Sequence, residues 1–472
     1  MSTKEKAARR GSKAGIVIIL LCLAGLIALG VSLWRQQLPP PEPETAVGYA
    51  ASAEETVPVY DGEGAVLGSL VRGAEVHFVQ EDMDGEGTLV RVVNGGEYVY
   101  LEKQHLALRY EDAAQVDTVY ARRGISLLDA AGTAPGCAVE KGMALTVTGF
   151  DGLDDSGAVL RWRVSCPRGE GYIDAANVRM TEAEALAHYD EELYALHASR
   201  GDSWGGGDAA GLDYEPVEKG PIAGNEMPDE VRALYLNGSA IQYADSYLQA
   251  AAGSGVNAFV VDIVDGTAVS YASPVMQRYS PSAYAAAMDT GEGFRANLQK
   301  LKDAGYYLIG RITVFNDAHL AADHPEYVIS DLSGTPLKIS SMYWPSAYNR
   351  TVWQYKVELA LEAAALGFNE IQFDYIRFPD GAYDYEKAGT IDYRNTYGES
   401  KAQAVQRFLL YAAERLHSAG YYLSGDVFGE CANPYVTACG QYWPAISAAV
   451  DAISGMPYPD HYSARGDYKP WE

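Results

Sequence analysis

Glu370-Ile371-Gln372-Phe373-Asp374-Tyr375-Ile376-Arg377-Phe378-Pro379 sets a carboxylate inside an apolar, β-prone run, just ahead of a Pro379-Asp380-Gly381 turn. A helical pattern over 351–366 precedes it, and Gly367 stops that helix. Helix, short loop, strand, acid and turn is the order in which a (β/α) barrel presents a catalytic group at the carboxyl end of a strand. An aspartate in a hydrophobic strand is costly unless a partner or a function offsets it. Arg377 is the nearest cation in sequence and supplies the plain ion-pair reading.

On either side of this segment, strand-like runs alternate with helical ones. The expected strands are 233–236, 258–264, 307–314, 370–378, 421–428 and 452–456, with helices over 239–252, 284–304, 351–366 and 401–419. Such alternation implies a parallel sheet covered on its outside. A doubly wound sheet competes, but no Gly-rich nucleotide turn follows the first strand. The fold class expected is therefore α/β, a (β/α)8-type TIM barrel over 230–472. Six units reach the C-terminus where eight close a barrel, so truncation after the sixth strand is expected.

Acids recur at the strand ends: Asp262 on the second strand, Asp374 on the fourth, Asp426 on the fifth and Glu430 just beyond it. Residues two apart on a strand share a face, so Asp262, Asp374 and Asp426 can meet in the barrel mouth. Like charges brought together raise one pKa and leave another group ionised. Two carboxylates with aromatic walls, no metal-ligand set and no nucleophilic Ser or Cys constellation point to glycosidic-bond chemistry without a cofactor. Arg311, Asp317, Tyr375, Arg377, Tyr458 and His461 are the candidate substrate-binding residues around these acids.

The chain has 472 residues, enough for two or three domains, and a formal charge of −27, which argues against nucleic acid as a partner. Its 35 tyrosines against 10 phenylalanines suit stacking on sugar rings. Residues 14–34 carry no charge and follow a basic tail over 1–13, which predicts a transmembrane helix with a cytoplasmic N-terminus and an extracellular bulk. Cleavage as a signal peptide is the alternative. A Pro-rich spacer follows over 35–55. Cys137–Cys166 and Cys431–Cys439 are the local pairings that an oxidising compartment permits; all four also read as structural or free thiols.

Segments 56–109 and 117–180 repeat a pattern of short alternating strands with Gly and Asp turns, each closing on Tyr98-Val99-Tyr100 or Gly171-Tyr172-Ile173. They resemble tandem bacterial SH3-like domains, which implies either glycan or wall-peptide holding or a spacer role. A helix and a Gly/Pro linker fill 181–229.

The runs Gly367–Pro379, 257–267, 309–317, 424–429 and 453–462, taken together, resemble the family called "putative glycosyl hydrolase domain", distantly similar to α-amylase-type barrels. That likeness implies Asp374 as nucleophile and Asp426 or Glu430 as acid/base. The α-amylase arginine two residues before the nucleophile is replaced here by Gln372. The expected function is a membrane-anchored glycoside hydrolase acting on polysaccharide or peptidoglycan. The alternative is a non-catalytic glycan-binding or wall-organising protein on the same scaffold.

Overall fold

The computed structural model describes residues 43–195 and 205–458. One sheet holds six parallel strands in chain order: β1 (Ala233–Leu236), β2 (Ala258–Gly266), β3 (Tyr307–Asp317), β4 (Glu370–Asp374), β5 (Tyr422–Phe428) and β6 (Ala452–Met456), with the short strand Ala268–Val269 antiparallel on β2. The main connecting helices are α1 (Ala244–Ala251), α2 (Glu292–Asp303), α3 (Arg350–Ala365) and α4 (Lys401–Ser418). Strictly sequential order is barrel order, whereas a doubly wound sheet reverses at a switch point.

Local chemistry sets the helix starts. Asn349 accepts from the backbone N–H groups of Thr351 and Val352 to open α3, and Ser400 with Gln403 forms a capping box at α4. The expected helix over 284–304 is two pieces. Asp289 takes the N–H groups of Gly291 and Phe294, and Gly291 at φ 100° restarts the chain as α2. The expected strand over 370–378 ends at Asp374, because Tyr375 turns into the left-handed region at φ 54°.

Among the described residues β1 and β6 are the edges of an open, curled sheet, a half-barrel of six strands as expected for a barrel with six of its eight units. One sequence expectation is corrected here. The membrane-spanning helix expected over 14–34 lies outside the described residues. Among the described residues no helix is long and apolar enough to cross a membrane, so the single-pass topology has no support in the fold.

The chain divides into two compact units, 1–115 with 155–157, and 116–154 with 158–472. The first holds a seven-stranded antiparallel sheet that begins at Thr45, inside the stretch read as spacer, around a core of Val57, Phe78, Val90 and Leu101. The second unit opens with another seven-stranded sheet, Thr118 to Arg179. Numbered from its own first strand, each sheet has the order 3-2-6-5-4-1-7, so the internal repeat is one of topology as well as pattern. Within the second unit this sheet packs on α4: the buried Arg407 joins Glu140 of the sheet to Glu399, and Arg415 donates to the Gly132 carbonyl at 2.7 Å. The four described cysteines are thiols.

Asp317, expected to face substrate, is used for structure instead. It caps the helix Ala318–Asp323 through the Leu320 N–H and pairs at 2.7 Å with Lys356 of α3, a side chain with 0% exposure. Removing one partner of a buried pair leaves an uncompensated charge. Lys356→Met is expected to lower stability by about 3–5 kcal/mol in denaturant unfolding. A loss under about 1 kcal/mol would show that the pair is not holding α3 to β3.

Candidate active site

Strand register assembles the site. Asp262 on β2 lies beside Arg311 on β3, which lies beside Gln372 on β4, which lies beside Ser424 on β5. Two residues further along the same faces come Asp374 on β4 and Asp426 on β5, the latter opposite Ser454 on β6.

Arg311 is the hub. Its Nη1 donates to Asp262 Oδ1 at 2.8 Å and lies 3.3 Å from Asp265; its Nη2 donates to Asp374 Oδ2 at 2.6 Å; its Nε lies 3.9 Å from Asp426 Oδ2. Tyr235 on β1 donates its hydroxyl to Asp262 at 2.5 Å, and Gln372 donates to Asp426 at 2.8 Å and to Ser454 at 3.3 Å. Neighbouring strands stand roughly 4.8 Å apart. Contacts from β3 to β5 and from β4 to β6 therefore need side chains that converge across an intervening strand, as on the inside of a curled sheet.

Asp374 and Asp426 are each only 6% exposed. One guanidinium cannot neutralise three buried carboxylates, so one of them is better kept protonated. Asp426 is that group: burial first, then the charge of Asp374, push it up to about 8, against the opposing pull of Arg311. Burial also raises Asp262, again opposed by Arg311. Asp374 accepts from a cation and, through Oδ1, from the Tyr375 N–H at 2.5 Å, surroundings that suit an anion. The left-handed turn at Tyr375 supplies that second donor.

The other expected residues fall in different places. Arg377 is not the partner of Asp374; its guanidinium lies 4.2, 4.9 and 5.0 Å from the ring centres of Phe428, Tyr375 and Trp344. Such a cation stacked on aromatic faces props the turn after β4. Glu430 sits on the turn after β5, where it accepts from the Tyr435 hydroxyl at 3.3 Å. Tyr458 is exposed, and His461 lies outside the described residues. Tyr235 and Ser454 were missed, although both stand at inward-facing positions of expected strands. Among the described residues no cluster of His, Cys, Asp and Glu could hold a metal ion.

Residues 233–469 match the model of the family described as "Putative glycosyl hydrolase domain". The chain belongs to that family. The match covers the six-stranded domain, and both seven-stranded sheets lie outside it. No curated protein matches the chain. Among solved structures it is similar to a hypothetical protein from Ruminiclostridium thermocellum, 31% identical over 41% of this chain and 97% of that one, with a TM-score of 0.35. It is also similar to a chitobiase from Flavobacterium johnsoniae (15% identity, 42% and 31% coverage, TM-score 0.33). A maltogenic α-amylase from Thermotoga neapolitana gives 13% identity, 41% and 45% coverage and a TM-score of 0.28. The chain thus spans less than half the length of the chitobiase and the amylase. Family membership gives the domain a glycoside-hydrolase-type assignment.

The Asp426 shift has a consequence for stability. A folded pKa raised from 3.8 to about 8 means the native state holds the proton more tightly than the unfolded chain. Its contribution is complete below the unfolded value and is lost as pH rises through the folded value. Denaturant midpoints should therefore fall between pH 4 and 8 in the parent chain, and fall less in Asp426→Asn. Parallel pH curves for the two proteins would contradict the assignment.

Proposed function

We propose that this domain hydrolyses glycosidic bonds of a polysaccharide or peptidoglycan, with Asp374 as the ionised carboxylate and Asp426 as the proton donor. The observation that carries the reading is the pair of buried acids on adjacent strands in opposite environments. Asp374 accepts from Arg311 and a backbone N–H, while Asp426 is pushed up to about 8 beside it. Glycoside hydrolysis needs one acid to protonate the leaving oxygen and one anion to attack carbon or activate water. Arg311 would hold the anion in place, in the role the missing arginine at position 372 would otherwise fill. Asp262, tied to Tyr235, would fix the far side of that guanidinium. The two seven-stranded sheets, read as SH3-like units, would bind glycan or peptide.

A second reading, glycan binding without turnover, is favoured by one observation: Arg311 and the Tyr375 N–H already occupy both oxygens of Asp374.

Sugar release by the full chain on a polysaccharide and peptidoglycan panel separates the two. Asp426→Asn should lower kcat by about 10²–10⁴-fold, and Asp374→Asn by at least as much. The parent kcat should fall as pH rises above about 8, where the donor loses its proton. Saccharide binding with no turnover on any member of the panel would establish the second reading instead.

A further inference from the structure

Asp265 joins the Arg311 cluster through an irregularity in β2. In a regular strand it would face away from Asp262, three residues earlier. Asp262 lies beside Arg311, but the next paired residue, Val264, lies beside Ile312, so β2 carries one extra residue between the two pairs. Ile312 follows Arg311 and faces the opposite way; Val264 shares its side, and Asp265 therefore returns to the side of the acids. Bulges of this kind re-aim side chains beside active sites.

The segment that carries Asp265 is pinned. Gly266, at φ 58°, turns the chain into the short strand Ala268–Val269. The Gly266 N–H donates to Thr313 Oγ1 at 3.0 Å, and Thr313 stands beside Asp374 in register. His319 Nε2 donates to the Thr267 carbonyl at 3.0 Å. These bonds fix Asp265 on the rim of the cluster, close to Asp374.

Exposure separates Asp265 from its neighbours. Asp262, Asp374 and Asp426 are buried, whereas the Asp265 side chain is 45% exposed. Arg311 spends its 2.8 Å hydrogen bond on Asp262 and reaches Asp265 only at 3.3 Å. Among the described residues no hydrogen bond ends on the Asp265 carboxylate. Two acceptor oxygens thus stand in a fixed place, open to solvent. Adjacent hydroxyls of a sugar ring offer two O–H donors side by side, and such bonds to a charged acceptor are strong. A carboxylate on the sugar would be repelled, because one guanidinium stands among four acids.

We propose that Asp265 is a substrate-binding residue that accepts two adjacent hydroxyls of a neutral sugar unit and disfavours uronic acids. The inference rests on the reading of this site as glycan-active, and narrows its substrate to a neutral polysaccharide with adjacent free hydroxyls. It does not require turnover.

Calorimetric titration of the full chain with oligomers of glucose, galactose and mannose, and with oligogalacturonate as the acidic counterpart, tests it. At least one neutral oligomer should bind at least tenfold tighter than the uronate. Asp265→Asn, nearly isosteric, should weaken that oligomer about tenfold and narrow its lead over oligogalacturonate, with an unchanged melting curve. A residue that only props Arg311 would leave that lead as it was. In hydrolysis the loss should fall mainly on KM rather than kcat. Binding with these ratios but without sugar release would refute the hydrolysis and leave Asp265 in its place. Parent-like affinity in Asp265→Asn, preference for the uronate, a loss confined to kcat, or no binding of any neutral oligomer would each overturn the proposal.

Discussion

One guanidinium organises the six-stranded domain. Arg311 reaches carboxylates from β2, β4 and β5, and the domain can keep those acids together only because that charge stands among them. Buried like charges without it would repel by several kcal/mol at a low effective dielectric. The curl of the sheet and the cluster are the same fact seen twice. The strands must bend for Arg311 and Gln372 to reach across a neighbour, and the bend brings the acids within mutual range. From that proximity, with burial, follows the upward shift of Asp426.

The hydrophobic pattern revealed the parallel sheet because its inner strands, β2 to β5, are largely buried. The acid at the end of β4 was legible for the same reason, as a polar residue the apolar run could not absorb. Its partner was not. Arg377 is near Asp374 in sequence, but the left-handed turn at Tyr375 swings it onto Trp344 and Phe428, while Arg311, more than sixty residues away, arrives through register. Pairing across parallel strands depends on offsets that one strand does not encode. Asp317 misled for a related reason: a strand-end acid can also cap a helix and neutralise a lysine on α3. Tyr235 and Ser454 carried no charge to single them out, and only convergence shows what they touch.

The two seven-stranded sheets share one topology but have different surroundings. In the second, the edge strand Pro135–Val139 is largely buried and the sheet meets α3 and α4 of its own unit. In the first, the equivalent strand Val66–Val71 is mostly exposed. The same architecture thus serves once as a packed partner of the six-stranded domain and once as a sheet whose core is its own.

The central claim is a charge division: one cation holding Asp374 as an anion while Asp426 keeps its proton. Carboxyl ¹³C NMR on aspartate-labelled chain, titrated from pH 3 to 10, reads it most directly. A resonance that titrates near pH 8, disappears in Asp426→Asn, and moves further upward in Arg311→Met is the predicted result. If every aspartate in the cluster finishes titrating below pH 5, Arg311 is a structural salt bridge and the acid–anion pair does not exist.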